Sequence, residues 1–178
     1  MNESGLPAAL TASGQGDLPV RVLFVCLGNI CRSPTAEAML RRHVRDAGLA
    51  GRVEIDSAGT LDDHSGAPPD PRAIAHGERR GLAMRELRAR QVRAVDFDRF
   101  DVVFAMDASN LAELERLRPP GARARLALLM DCVPEAGVRE VPDPYSGSGR
   151  DFERVLDLVD LACGRFVATL RDRLADGS

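Results

Sequence analysis

What this sequence lacks narrows it first. No run approaches the ~18 consecutive apolar residues of a membrane-spanning helix. The opening "MNESGLPAALTASGQGDLP" has neither a basic start nor a long apolar centre, so neither an anchor nor a secretion signal is expected. No basic run stands out and the formal net charge is −3, which argues against a nucleic-acid binder, since that needs a basic face to displace phosphate counterions. The arginines are numerous but interleaved with acids, the pattern of a solvated, salt-bridged surface. Cysteine is scarce: four residues, at 26, 31, 132 and 163, without a C-x-x-C pair. That spacing makes a poor disulfide framework and suits a reducing compartment, so a cytoplasmic location is expected. His43 and His76 read as helix-surface residues and His64 as a loop residue, with no spacing that suggests a metal-ligand pair. Neither G-x-G-x-x-G nor a phosphate loop ending in Lys and Ser or Thr occurs, and no internal repeat is visible.

The 178 residues suit one ordinary domain. Residues 1–18, rich in Gly, Ser, Ala and Pro, read as a disordered tail, and 19–176 as a single domain. "VRVLFVC", "RVEIDSAGT", "FDVVFAMD" and "ARLALLMD" are short apolar or β-branched runs that predict strands. Between and after them, "TAEAMLRRHVRDAG", "PRAIAHGERRGL", "ASNLAELERLRPPG" and "DFERVLDLVDLACGRFVATLRDRL" predict helices. Ser33 is placed to cap the first helix, with Pro34 in its first turn. Strands alternating with helices imply an α/β fold in which a parallel sheet is covered on both faces, with ligands beyond the carboxyl ends of its strands.

At that edge lies "VCLGNICRSP". Two thiols and a guanidinium where a strand hands over to a helix suggest either a metal or disulfide site or a cradle for an oxyanion. The turn gathers unpaired N–H groups and the positive end of the helix dipole. Gly28 and Asn29 tolerate positive φ, which lets successive amides point inward, and Arg32 adds a planar fork for two oxygens of a tetrahedral anion. The same field favours a thiolate at Cys26, to which Ser33 can donate a hydroxyl. Buried cysteines at a strand end would not account for Gly, Asn, Arg, Ser and Pro occurring together.

The string C-x5-R-S within "VCLGNICRSPTAEAML" resembles the low-molecular-weight protein tyrosine phosphatase family. The likeness continues through "DSAGT", "DPRA", "RARQ", "FDVVFAMD", "VPDPY" and "DFERVLDLVDLAC", over about residues 20 to 175. It implies a three-layer α/β/α fold on a four-stranded parallel sheet, and a phosphatase without metal or other cofactor that works through a cysteinyl-phosphate. By resemblance Cys26 is the nucleophile, Arg32 binds phosphate and Asp143 is the general acid and base. Leu27, Gly28, Asn29, Ile30, Cys31 and Ser33 complete the phosphate loop, and Ser57 supports it. Tyr145 and position 63 form the substrate walls, and Asp107 has a structural role near the loop. The resemblance also implies that Cys31 can form a disulfide with Cys26 under peroxide. Substrates would be tyrosine-phosphorylated proteins, with a bacterial tyrosine kinase among the partners the resemblance implies, and phosphate-like oxyanions would inhibit.

Three positions refine or depart from the pattern. In the family's arginine-phosphatase branch a threonine takes the place of Ile30, so isoleucine here favours phosphotyrosine. Asp63 occupies the slot of a usual aromatic wall, which alters that wall and would repel acidic phosphopeptides or leave the groove open. Leu87 stands where a histidine often helps hold the loop asparagine, leaving Asn29 to Ser33, Ser57 or backbone groups. Two other functions compete. An arsenate reductase would need a cysteine pair that is missing between residues 80 and 90 and would give Asp143 no role. A non-catalytic phosphotyrosine-binding or redox-sensing module would not need Cys26, Arg32 and Asp143 together.

Overall fold

The computed structural model describes residues 18–176. The expected tail, residues 1–18, lies outside the described residues except for the exposed Leu18. Four strands, β1 (Val20–Cys26), β2 (Val53–Gly59), β3 (Val102–Ala105) and β4 (Arg125–Leu128), form one sheet in the order β2-β1-β3-β4, with every pair parallel. Five helices, α1 (Arg32–Asp46), α2 (Pro71–Arg79), α3 (Asp96–Arg99), α4 (Ala108–Leu117) and α5 (Gly149–Asp176), lie between and after the strands.

Alternation along the central strand divides the core in two. Val22, Phe24 and Cys26 of β1 point to the face covered by α1, α2 and α5, where Phe24 stacks on Phe104 and the edge of Phe166 meets Phe104. Leu23 and Val25 point to the opposite face, against Phe97 and Phe100 at α3 and Leu114 of α4. A strand buried on both sides has no polar face to show, which is why Val22–Cys26 of β1 and the whole of β3 read as unbroken apolar runs. The result is the three-layer α/β/α arrangement on a four-stranded parallel sheet.

Element ends differ from expectation where tertiary bonds outweigh local propensity. β3 begins two residues late, because Phe100 ends the unforeseen short helix α3, and stops at Ala105, because Asp107 caps α4 by accepting from the Asn110 amide at 2.8 Å. β4 stops at Leu128, where Leu129–Cys132 turn into a 3-10 helix and the Asp131 carboxylate accepts the Leu128 amide at 3.1 Å. Helix α2 is capped by Asp70 through the Arg72 amide and ends at Arg79, ahead of Gly81 at φ 77°. His43 and His76 are half-buried rather than free on the surface: each meets a carboxylate of α5 at 2.6 Å, Asp160 and Glu153 respectively. No helix among the described residues is long and apolar enough to cross a membrane.

Candidate active site

Between the end of β1 and the start of α1 the chain makes a five-residue loop, Leu27 to Cys31, at the carboxyl edge of the sheet. Asn29 is its pivot, the one non-glycine residue at positive φ (56°) among the described residues. Its side chain is fully engaged: Nδ2 donates to the Ser33 hydroxyl at 2.8 Å and to the Ser57 hydroxyl at 3.0 Å, and Oδ1 accepts the Arg90 amide at 3.0 Å. With leucine at 87 packed against the core, both serines and a backbone group hold Asn29. The Arg90 side chain is clamped in turn between Asp56 and the fully buried Asp96.

Ser33 lies inside α1, which starts at Arg32 and has no side-chain cap. The capping role expected of Ser33 is therefore not filled. Its hydroxyl sits 3.0 Å from the Cys26 sulfur and 3.3 Å from the Ala58 carbonyl, because β2 passes close enough to draw it inward. Glu37, which the sequence reading overlooked, completes the chain of bonds. Buried on α1, it accepts the Ser57 hydroxyl at 2.5 Å and Arg41 at 2.9 Å. Burial pushes its carboxyl above the ordinary range, partly offset by those two bonds.

Arg32 is buried at the floor. One guanidinium nitrogen donates to Asp107 at 2.6 Å and to the Val141 carbonyl at 3.1 Å, while the other reaches Asp143 at 3.5 Å. The Val141 amide donates to the Met106 carbonyl at 2.8 Å, so the segment bearing Asp143 is pinned to the end of β3. Asp143 is half-exposed and accepts the Tyr145 amide at 3.1 Å, a turn that Pro142 and Pro144 stiffen on either side. Thus residues far apart in sequence, Cys26, Arg32 and Asp143, line one cleft with Leu27, Gly28, Ile30, Cys31, Asp63 and Tyr145.

Leu61 and His64 line the cleft too. His64 is therefore more than a surface loop residue: its ring sits where a β-carbon on Gly28 would come within 3.0 Å of it. Arg72 lies over the Tyr145 ring at 5.5 Å and the Phe152 ring at 4.8 Å while bound to Asp70, which steadies the Tyr145 ring. Cys31 is buried, and burial, with the charge of Asp70 next in weight, pushes its thiol up to about 12. A cradle of amides and one guanidinium beside a sulfur, with a carboxyl facing it, can hold a tetrahedral oxyanion and offer it both a nucleophile and a proton donor.

Gly59 permits the close approach on which the loop depends. A β-carbon there would stand 2.8 Å from the Leu27 carbonyl oxygen and 3.0 Å from the Asn29 nitrogen, both backbone atoms that cannot swing aside. Gly59→Ala must displace the loop. A misplacement approaching 1 Å costs about 100-fold in rate, so p-nitrophenyl phosphate turnover should fall by about that much while circular dichroism stays unchanged.

Comparison with known proteins agrees with this geometry. Residues 21–175 match the family model of the low molecular weight phosphotyrosine protein phosphatases. The chain is 40% identical over 158 residues to a putative low molecular weight protein-tyrosine-phosphatase of Synechocystis, covering 88% of this chain and 100% of that one. It superposes on the crystal structure of a protein tyrosine phosphatase from Entamoeba histolytica with a TM-score of 0.81 at 37% identity, covering 86% of this chain and 97% of that one. A Drosophila arginine phosphatase superposes with a TM-score of 0.79 at 33% identity, covering 84% and 96%. On the strength of the family match over nearly all the described residues, the chain belongs to the low molecular weight phosphotyrosine protein phosphatase family.

Proposed function

We propose that Cys26, Arg32 and Asp143 carry out the hydrolysis of phosphotyrosine in proteins. The observation that carries the reading is the sulfur of Cys26, 3.0 Å from the Ser33 hydroxyl, at the mouth of a loop closed by Arg32 and faced by Asp143. In the first step the sulfur attacks phosphorus in line. The S–P bond forms as the bond to the phenolic oxygen breaks, and Asp143 passes its proton to that oxygen. Loop amides and Arg32 hold the three equatorial oxygens as charge shifts among them. In the second step Asp143, now a carboxylate, takes a proton from water whose oxygen bonds to phosphorus. The S–P bond breaks, phosphate leaves, and the Ser33 hydroxyl stabilises the returning charge on sulfur.

Ile30, in the position of the arginine-phosphatase threonine, supports phosphotyrosine over phosphoarginine. We extend the proposal to residues 19–176 as a single phosphatase domain in the cytoplasm. Its substrates would be tyrosine-phosphorylated proteins, a bacterial tyrosine kinase among them, and phosphate-like oxyanions that fill the loop would compete.

Leaving-group dependence tests the role of Asp143. General acid catalysis contributes about 10²–10⁴-fold. Asp143→Ala should therefore cut kcat/KM, which reports the leaving-group step and not the shared hydrolysis of the cysteinyl-phosphate, by about that factor on phenyl phosphate, but far less on p-nitrophenyl phosphate, whose leaving group needs little protonation. Equal losses on both would remove Asp143 from this role. A wild-type protein that binds phosphotyrosyl peptide yet hydrolyses neither ester would be a binding module instead.

A further inference from the structure

Large apolar side chains standing in solvent are few among the described residues: Leu18, Leu27, Leu61, Val95, Tyr145 and Leu161. Scattered singly they need no explanation. Three of them, Leu27, Leu61 and Tyr145, line the cleft of Cys26. The two leucines are also neighbours on a fixed frame. The Thr60 amide donates to the Cys26 carbonyl at 2.9 Å and the Leu61 amide to the Leu27 carbonyl at 3.0 Å, carrying the β1–β2 pairing past the strand ends. Their backbones are held side by side, so an aliphatic group docking there orders side chains but no loop.

With imidazole neutral, charge at the mouth has one sign. The ionisable residues lining the cleft, the cysteines and Tyr145 aside, are Arg32, buried at the floor and bonded to Asp107, the two rim acids Asp63 and Asp143, and His64. Arg72, near Tyr145, is bound to Asp70. In the mechanism above Asp143 hands its proton to the leaving oxygen, so the exposed Asp63 is the rim charge that a flanking residue of the substrate meets.

We propose that this mouth selects phosphotyrosines flanked by an aliphatic and a basic side chain, Leu27 and Leu61 seating the first and Asp63 attracting the second. The inference rests on the phosphotyrosine reading above. It extends to substrate class what the loss of an aromatic at 63 does to the wall: an aliphatic shelf and an anion stand where a ring would stack.

The test uses four phosphotyrosyl peptides of equal length whose residues beside the phosphotyrosine combine Leu or Ser with Arg or Glu, with p-nitrophenyl phosphate as reference. At low salt, kcat/KM should favour Arg over Glu by about tenfold, one exposed attraction gained and one repulsion avoided. That ratio should shrink in about 0.5 M NaCl as the pair is screened. Leu should be favoured over Ser by about fivefold at either salt, since apolar burial is not screened. Asp63→Lys should invert the charge ratio, and Leu61→Ser should bring the Leu/Ser ratio close to one. Each ratio is taken within one enzyme preparation, so a change in folded fraction or basal turnover cancels. Equal kcat/KM for all four peptides, or a preference for Glu, alongside turnover of p-nitrophenyl phosphate would overturn the selectivity and leave the phosphatase reading standing. Loss of all five activities in the wild type would overturn both.

Discussion

Replacing Cys26 by serine abolishes turnover and leaves binding in place. That is the expected result: a loss of at least about 10⁴-fold in p-nitrophenyl phosphate hydrolysis, the scale seen when a covalent nucleophile is removed. The hydroxyl occupies nearly the same volume 3.0 Å from Ser33 but is a far weaker nucleophile at neutral pH, while the loop amides and Arg32 that grip the phosphate are untouched. A phosphotyrosyl peptide should therefore still bind, with a Kd within a few-fold of the wild-type KM. The other thiols make a chemical check possible. Burial holds Cys31 and Cys132 up at about 12 and Cys163 well above its ordinary value. At pH 7 a thiol at 12 is ionised to only about one part in 10⁵. Iodoacetate should accordingly modify Cys26 alone in the native protein and all four cysteines in denaturant. Raising the pH should recruit Cys31 only gradually, about tenfold in rate per pH unit, because only the thiolate reacts and burial holds this thiol up at about 12. Turnover by Cys26→Ser within tenfold of wild type, or modification spread evenly over the four cysteines at pH 7, would remove Cys26 from the chemistry.

The phosphate loop was legible in the sequence because it is local. Its sulfur, its left-handed asparagine and its guanidinium lie within seven residues, between an apolar run of strand length and a helix long enough to declare its period. What escaped was set by distance along the chain. Glu37 reads as one more acid on an amphipathic helix, yet Ser57, 20 residues away on β2, converts it into a buried anchor for Asn29. Asp107 was placed near the loop by resemblance alone, because its pairing with Arg32 spans 75 residues and depends on the strand order, which no local pattern encodes. Ser33 obeyed a different rule from the one applied to it: a serine just before a helical run favours capping, but a sulfur 3.0 Å away competed for the same hydroxyl. His64 was hidden by its polar loop, "LDDHSG", since only the folded chain brings that loop back over Gly28. Helix α3, four residues long, is too short to show any period at all.

Arg32→Lys keeps the charge and removes the fork, and this is where the second large loss is expected. The guanidinium serves two masters at once: one nitrogen is committed to Asp107 at 2.6 Å and the Val141 carbonyl at 3.1 Å, and the other faces the cleft, 3.5 Å from Asp143. A lysine ammonium is a single point with a shorter reach. Drawn to the Asp107 carboxylate, it would leave the phosphate short of its charged donors; drawn to the phosphate, it would leave Asp107 without its partner. Removing one donor preorganised for developing charge costs about 3–4 kcal/mol, or about 10²–10³-fold. Because the fork can offer two donors, kcat/KM on p-nitrophenyl phosphate should fall by about 10³-fold or more, with a rise in KM as well as a drop in kcat. Competitive inhibition by vanadate or inorganic phosphate should weaken in parallel, since those anions fill the same cradle. The fold should survive, because a positive charge remains beside Asp107, so a thermal midpoint close to wild type would tie the loss to geometry. A kcat/KM within tenfold of wild type would mean that the loop amides alone hold the phosphate, and that the buried arginine is there to fasten Asp107 and the Val141 segment to the end of β3.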